Sequence, residues 1–145
     1  SLTLDDEYSS FYDLDVRGDL TLEAGAAITA MGRNEVIIKG GIEVKGLPED
    51  PVRFSSTVQE RALNSWSGVH VKAGAAPVSI DHAVIEFANK GVYFDEAGGM
   101  LSNSLLQDNR HGVYLGGCAA PVVRWNDINR NMFGVYEPES EACPS

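Results

Sequence analysis

Apolar and polar residues alternate along this chain in short runs rather than in helical stripes. LTLEAG, AAITAMG, EVIIKG, GIEVKG, PVRFSS, GVHVKAG, PVSIDHAVIEFA and GVYFDEAG all show a period of two or carry β-branched residues. Gly, Asn, Asp and Pro break these runs every few residues, as turns would. No segment holds a 3.6-residue apolar stripe through three turns. The leucines of Ser102–Asn109 briefly mimic one, but they match the strand phase of neighbouring segments. The pattern predicts an all-β chain of many short strands.

The strands recur with a period. Gly followed by Ile or Val appears at Gly41, Gly68, Gly91, Gly112 and Gly134, at spacings of 27, 23, 21 and 22, and Gly18 extends the series backward. A second marker is Pro-Val at Pro51, Pro77 and Pro121. A third is Ile85, Leu106 and Ile128, six residues before its Gly. Asn109 and Asn131 fall three residues before their Gly, where Ala88 takes the same place. Self-similarity at a fixed period of this length signals stacked repeats. Short strands repeating about every 22 residues, stacked at about 4.8 Å, make a solenoid of about six coils, about 30 Å long.

DLDVRGDLTLEAGAAI, GGIEVKGLPEDPVRFSS, WSGV, IDHAVIEFANKGV, NSLLQDNRHGV and its echo NDINRNMFGV carry a family resemblance. From Tyr12 to Tyr136 the chain resembles the right-handed parallel β-helix repeat proteins of the pectate-lyase-like group. The implied layout is a capping segment over 1–11, the β-helix over 12–136 and an acidic tail or cap over 137–145. That fold hosts lyases, hydrolases, epimerases, adhesins and spacers, so the resemblance speaks to architecture more than to activity.

Within the strand after each repeat Gly, alternate residues point inward and outward. Val69, Val92, Val113 and Val135, with Val71, Phe94 and Leu115, form the inward set. Glu43, His70, Tyr93, Tyr114 and Tyr136 form an outward column. Aromatic rings so stacked offer faces on which the C–H surfaces of sugars dock. They could equally form a self-stacking ladder that stabilises neighbouring coils. Asn109 and Asn131 are expected as turn residues that tolerate left-handed backbone and bond the adjoining turn, with Asn103 and Asn126 in similar places.

Eleven Lys and Arg against 21 Asp and Glu give a net charge of −10. That field disfavours nucleic acid and anionic membrane surfaces. No apolar run approaches the roughly 20 residues a bilayer span requires. Residues 1–11 carry no charged-then-apolar leader pattern. The lyases of the resembled group use a carboxylate cluster holding calcium, with a nearby Arg or Lys base. Here the acidic pairs lie mostly in turns or tails, and no Arg or Lys shares the predicted phase of Asp81 and Glu86. Arg53 and Arg124, each following a Pro-Val marker, could form a basic patch. The hydrolase motifs of the fold are missing, and His70, His82 and His111 have no partners at zinc-ligand spacing. No catalytic residue, metal or other cofactor is therefore assigned, with calcium the one that the resemblance would bring. The Thr57–Ser65 insertion is too short to wall a catalytic groove.

The two cysteines, Cys118 and Cys143, allow one intramolecular pairing, which would pin the tail over the end of the rod; unpaired thiols or a bridge to another chain are the alternatives. The resemblance, the acidity and a plausible disulfide place the chain outside the cell or on its surface. The leading expectation is a non-catalytic structural, adhesive or glycan-contact module. Its partner would be a polysaccharide or another surface protein, with no nucleic acid and no membrane insertion. A polysaccharide lyase or epimerase, and a self-associating fibre or surface-layer subunit, are the alternatives.

Overall fold

The computed structural model describes residues 2–10, 12–57 and 65–138, and every helix or strand among them is a β-strand. Three strands make a coil. The first coil holds Leu2–Leu4 (β1), Glu7–Ser10 (β2) and Leu14–Val16 (β3). The second holds Asp19–Glu23 (β4), Ala27–Ala30 (β5) and Glu35–Ile38 (β6), and the third Gly41–Lys45 (β7), Val52–Ser56 (β8) and Trp66–Val71 (β9). Val78–Asp81 (β10), Ala83–Glu86 (β11) and Ala88–Asp95 (β12) form the fourth. Met100–Ser102 (β13), Leu105–Gln107 (β14) and His111–Gly116 (β15) form the fifth. Val122–Arg124 (β16), Asp127–Asn129 (β17) and Phe133–Tyr136 (β18) form the sixth.

Equivalent strands pair in parallel from coil to coil, giving three six-stranded sheets. Sheet A holds the first strand of every coil, sheet B the second and sheet C the third. The chain is a parallel β-solenoid of about six turns with a repeat of about 22 residues. Leu2–Leu4 and Glu7–Ser10, within the segment expected as a cap, pair with β4 and β5 and so belong to the first coil.

Inward side chains stack in columns. Leu22, Val44, Ile80 and Leu101 line sheet A, and Ile28, Phe54, Ile85 and Leu106 line sheet B. Val36, Val69, Val92 and Val113 line sheet C, and all three columns are buried. Each large apolar side chain contributes about 1.5–3 kcal/mol by leaving water. At the sixth coil the column is open: Val135 points inward yet is 54% exposed.

The last three coils turn their corners in one way. Each corner holds a residue in left-handed conformation, and in the fifth and sixth coils the side chain that follows it bonds the preceding coil. Phe87 (φ 64°), Asp108 (57°) and Arg130 (53°) hold the corner between sheets B and C; His82 (53°), Asn103 (51°) and Trp125 (60°) hold that between A and B. At the first corner the Ala88 N–H donates to Asn109 Oδ1 and the Asn109 N–H to Asn131 Oδ1, both at 2.9 Å. The same amides donate through Nδ2 to the carbonyls of Ile85 (3.0 Å) and Leu106 (2.9 Å). At the second corner Ser104 and Asn126 do this work: the Ala83 N–H donates to Ser104 Oγ and the Ser104 N–H to Asn126 Oδ1. Asn126 thus shares the role of Asn109, whereas Asn103 takes the left-handed position and donates to Asp81 instead.

The repeat glycines are required by close approach. A Cβ on Gly91 would lie 2.5 Å from the Gly112 carbonyl oxygen, and one on Gly112 would lie 2.7 Å from that of Gly134. Two sequence markers mix phases. Gly41-Ile42 opens a sheet A strand, whereas Gly68, Gly91, Gly112 and Gly134 lie in sheet C. Pro51-Val52 leads into sheet B and the other two Pro-Val pairs into sheet A. There Val78 points inward, while Val122 pairs with Met100 on the outward side and is exposed.

Removing the Asn109 side chain leaves the buried Ala88 N–H and the Ile85 carbonyl without their partner. Asn109→Ala is expected to cost about 1–3 kcal/mol, and Leu106→Ala about 2–5 kcal/mol, in urea unfolding. Asn131→Ala, on the open last coil, is expected to cost less than Asn109→Ala. An unchanged midpoint for Asn109→Ala would show that the ladder does not secure the corner.

Candidate functional site

The outer face of sheet C carries the greatest concentration of aromatic and titratable side chains. Strand register places Asp15, Ile37, His70, Tyr93, Tyr114 and Tyr136 in one outward column. His70, Tyr93, Tyr114 and Tyr136 therefore stand together as the strand phase predicts. Glu43 does not join them: it lies on sheet A between Thr21 and Ser79, and Ile37 holds the expected place. The cause is the Gly41 marker, which sits at a different corner from Gly68.

The four rings touch in sequence. His70 stacks on Tyr93 with centroids 4.4 Å apart, Tyr93 meets Tyr114 edge-on at 4.9 Å, and Tyr114 leans on Tyr136 at 5.3 Å. A parallel column, Lys90, His111 and Phe133, immediately precedes the repeat glycines. Lys90 Nζ sits 5.1 Å from the Tyr93 ring centroid and 4.7 Å from that of Tyr114. His111 lies within 5.1 Å of Tyr114 and 5.0 Å of both Phe133 and Tyr136. The shared position before each repeat Gly is the sequence signal that could have found these three.

Gly68 occupies that same column between Glu35 and Lys90 and supplies no side chain. A cavity of about 220 Å³ lies there, bounded by Glu35, Ser67, His70, Asn89, Lys90 and Tyr93. Asn89 Oδ1 is buried and accepts no hydrogen bond among the described residues. His70 is held from both sides: Nε2 is 2.9 Å from Asp95 Oδ2 and Nδ1 is 3.5 Å from Glu35 Oε1. Hydrogen bonding to Glu35, reinforced by Asp95, raises its pKa above the ordinary histidine value against the opposing effect of burial. Burial lowers that of His111, and the nearby charges of Arg110 and Lys90 act in the same direction. Burial raises the Tyr93 phenol, and the negative charge of Asp95 adds to this.

Elsewhere, Arg53 and Arg124 stand on different sheets and form no common patch. Arg53 instead pairs with Glu86, Nη1 to Oε2 at 3.0 Å, so a cation does share the phase of Glu86. Ser55 Oγ and Gln107 Nε2 also donate to that buried carboxylate. The pairing joins adjacent coils on neighbouring columns of sheet B, a lateral contact that counting within one column passes over. Among the described residues, no three His, Cys, Asp or Glu side chains converge as metal ligands would. No helix among them is long and apolar enough to cross a membrane. Cys118 is disulfide-bonded. Cys143 and residues 58–64 of the expected insertion lie outside the described residues.

The fold and this face define a parallel β-solenoid with an aromatic and titratable outer sheet. Comparisons of the chain with protein-family models, curated proteins and solved structures found no match.

The two histidines give opposite pH responses. His70, with its folded-state pKa raised, contributes stability that is complete below its unfolded value and is lost as pH rises through the folded value. His111, with its folded-state pKa depressed, contributes stability present above its unfolded value and lost as pH falls through the folded value. His70→Gln should therefore flatten the loss of thermal stability on the neutral side of the histidine range. His111→Phe should flatten the loss on the acidic side. Melting curves across about pH 5–8 with imidazole resonances followed in parallel check both.

Proposed function

We propose that this chain is a non-catalytic β-helix module that contacts a polysaccharide through the outer face of sheet C. The observation that carries the reading is the unbroken His70–Tyr93–Tyr114–Tyr136 column, four coils long, beside a polar cavity. Rings one coil apart repeat at about 4.8 Å. They present a row of partly exposed aromatic surface along which a chain of sugars can lie. Glu35, Ser67, Asn89 and Lys90 line the cavity and supply donors and acceptors for hydroxyl groups. The module belongs, on this reading, beside the pectate-lyase-like β-helix proteins and works outside the cell or at its surface.

A second reading, a polysaccharide lyase or epimerase, draws on the same cavity. An imidazole between two carboxylates, next to an ammonium and a phenol, is proton-transfer chemistry.

Binding to neutral and acidic polysaccharides, with each sample checked for chain cleavage, separates the two. The Tyr93→Ala, Tyr114→Ala, Tyr136→Ala triple variant should keep its β-solenoid circular dichroism. It should lose about 0.5–1.5 kcal/mol of stability per ring contact and abolish binding. Cleavage abolished by His70→Gln would replace the contact reading with the enzymatic one. Binding indifferent to the triple variant would remove sheet C as the contact face.

A further inference from the structure

A second concave surface lies at the corner between sheets A and B. It is a groove of about 490 Å³ running from Leu47 and Pro51 on the third coil to Trp125 on the sixth. Three coil-to-coil steps make it about 14 Å long. Its floor is apolar: Val84 and Leu105 are outward residues of sheet B that stack directly. One wall is the tight loop Leu47–Asp50, closed by reciprocal backbone hydrogen bonds of 3.1 and 3.0 Å. The other is the column of left-handed corner residues His82, Asn103 and Trp125.

Trp125 is the residue that local structure does not explain. Its backbone has φ 60°, a conformation that Gly or Asn adopts at least cost and a bulky aromatic adopts with strain. Its counterpart one coil earlier is Asn103, which suits the position. Nor does core packing account for the indole, because 71% of the residue faces solvent. Strain retained without a burial gain is a mark of a binding position. Arg124 lies against the ring at 4.3 Å from its centroid.

The polar groups of the corner are held in place. Asp81 Oδ2 is 2.9 Å from His82 Nδ1, and Asp81 Oδ1 accepts from Asn103 Nδ2 at 2.8 Å and Ser102 Oγ at 3.1 Å. His82 Nε2 and Asn103 Oδ1 take no partner among the described residues. An apolar floor, an exposed indole and fixed hydrogen-bonding groups at the rim match the amphipathic surface of a sugar. The charge selects further: the net charge of −10 and the carboxylate of Asp127 in the groove oppose an anionic ligand. The floor strands β11 and β14 are each paired on both sides, so they offer an extended peptide no free edge, and sheet B ends only at β17 on the sixth coil.

We infer that the Trp125 groove is a binding site for an uncharged oligosaccharide, separate from the aromatic face of sheet C. The sugar ring stacks on the indole, and its hydroxyls bond to His82, Asn103 and Asp127.

Tryptophan fluorescence tests this directly. The chain has two tryptophans, and Trp66 is 1% exposed, so the fraction open to acrylamide quenching is Trp125. Uncharged hexose and pentose oligomers should shield that fraction, and in titration calorimetry, which reads the Trp125 variants once the fluorophore is gone, Trp125→Ala should weaken their binding by at least about tenfold. Trp125→Asn, which suits the left-handed corner, should weaken it equally while keeping the buried Trp66 signal and the melting temperature. The Tyr93, Tyr114 and Tyr136 triple variant should leave the shielding intact, which separates this site from the sheet C face. The inference is overturned if no uncharged oligomer shields Trp125 at millimolar concentration. It is equally overturned if the two Trp125 variants bind as the parent does, or if only an acidic saccharide or an arginine-rich peptide shields the ring.

Discussion

Parallel pairing between equivalent strands of successive coils is the constraint on which everything else rests. Once one strand of a coil is in register, its side chains lie over their counterparts about 4.8 Å away. A slip of one residue would turn an inward set outward. The corners guard against that slip. The corner side chains of the fifth and sixth coils bond the preceding coil, the amides through both Nδ2 and Oδ1 and Ser104 through Oγ. An out-of-register coil would lose these bonds together, and with them the satisfaction of buried backbone groups.

Stacking also concentrates like chemistry. Residues some 22 apart in sequence become immediate neighbours, so one aromatic per repeat becomes a continuous row. His70 gains two carboxylates the same way, from Glu35 one coil below and Asp95 one coil above. Glu86 gathers Arg53, Ser55 and Gln107 from the coils on either side. Lone polar groups on a strand thereby become networks whose members hold one another in position.

The absence of one side chain matters as much as the presence of others. Backbone crowding forces Gly at the repeat position, as Gly91 and Gly112 show. Gly68, in the column of Lys90 and His111, is likewise forced, because a Cβ there would run into the Lys90 backbone carbonyl, and the cavity beside His70 is bounded by its neighbours Ser67 and Val69. At the opposite corner the reverse holds: an indole occupies a position that its neighbours fill with a smaller side chain, and a groove acquires a wall. One repeating frame thus carries two different concave surfaces.

Alternation within strands and the period between them are local properties, and both could be read from the residues. They were enough for the all-β class, the approximate number of coils, the inward columns and the outward row of His70, Tyr93, Tyr114 and Tyr136. Asn109 and Asn131 were legible as turn residues that bond the adjoining coil, although the left-handed place falls to Asp108 and Arg130 just before them. Phase between corners was not legible, because three sheets share one period and a Gly at one corner resembles a Gly at another. Glu43 was misplaced on that account, and the Pro-Val pairs were misread as one marker. Lateral neighbours were equally hidden: Arg53 on Glu86, the carboxylates on His70, and the groove beside Trp125 depend on the angle at which adjacent columns face each other. The sequence by itself determined which residues repeat and which way they point along a strand. Only the tertiary structure decided which columns stand side by side, because corner geometry, set by left-handed residues and their hydrogen bonds, fixes the angles between sheets.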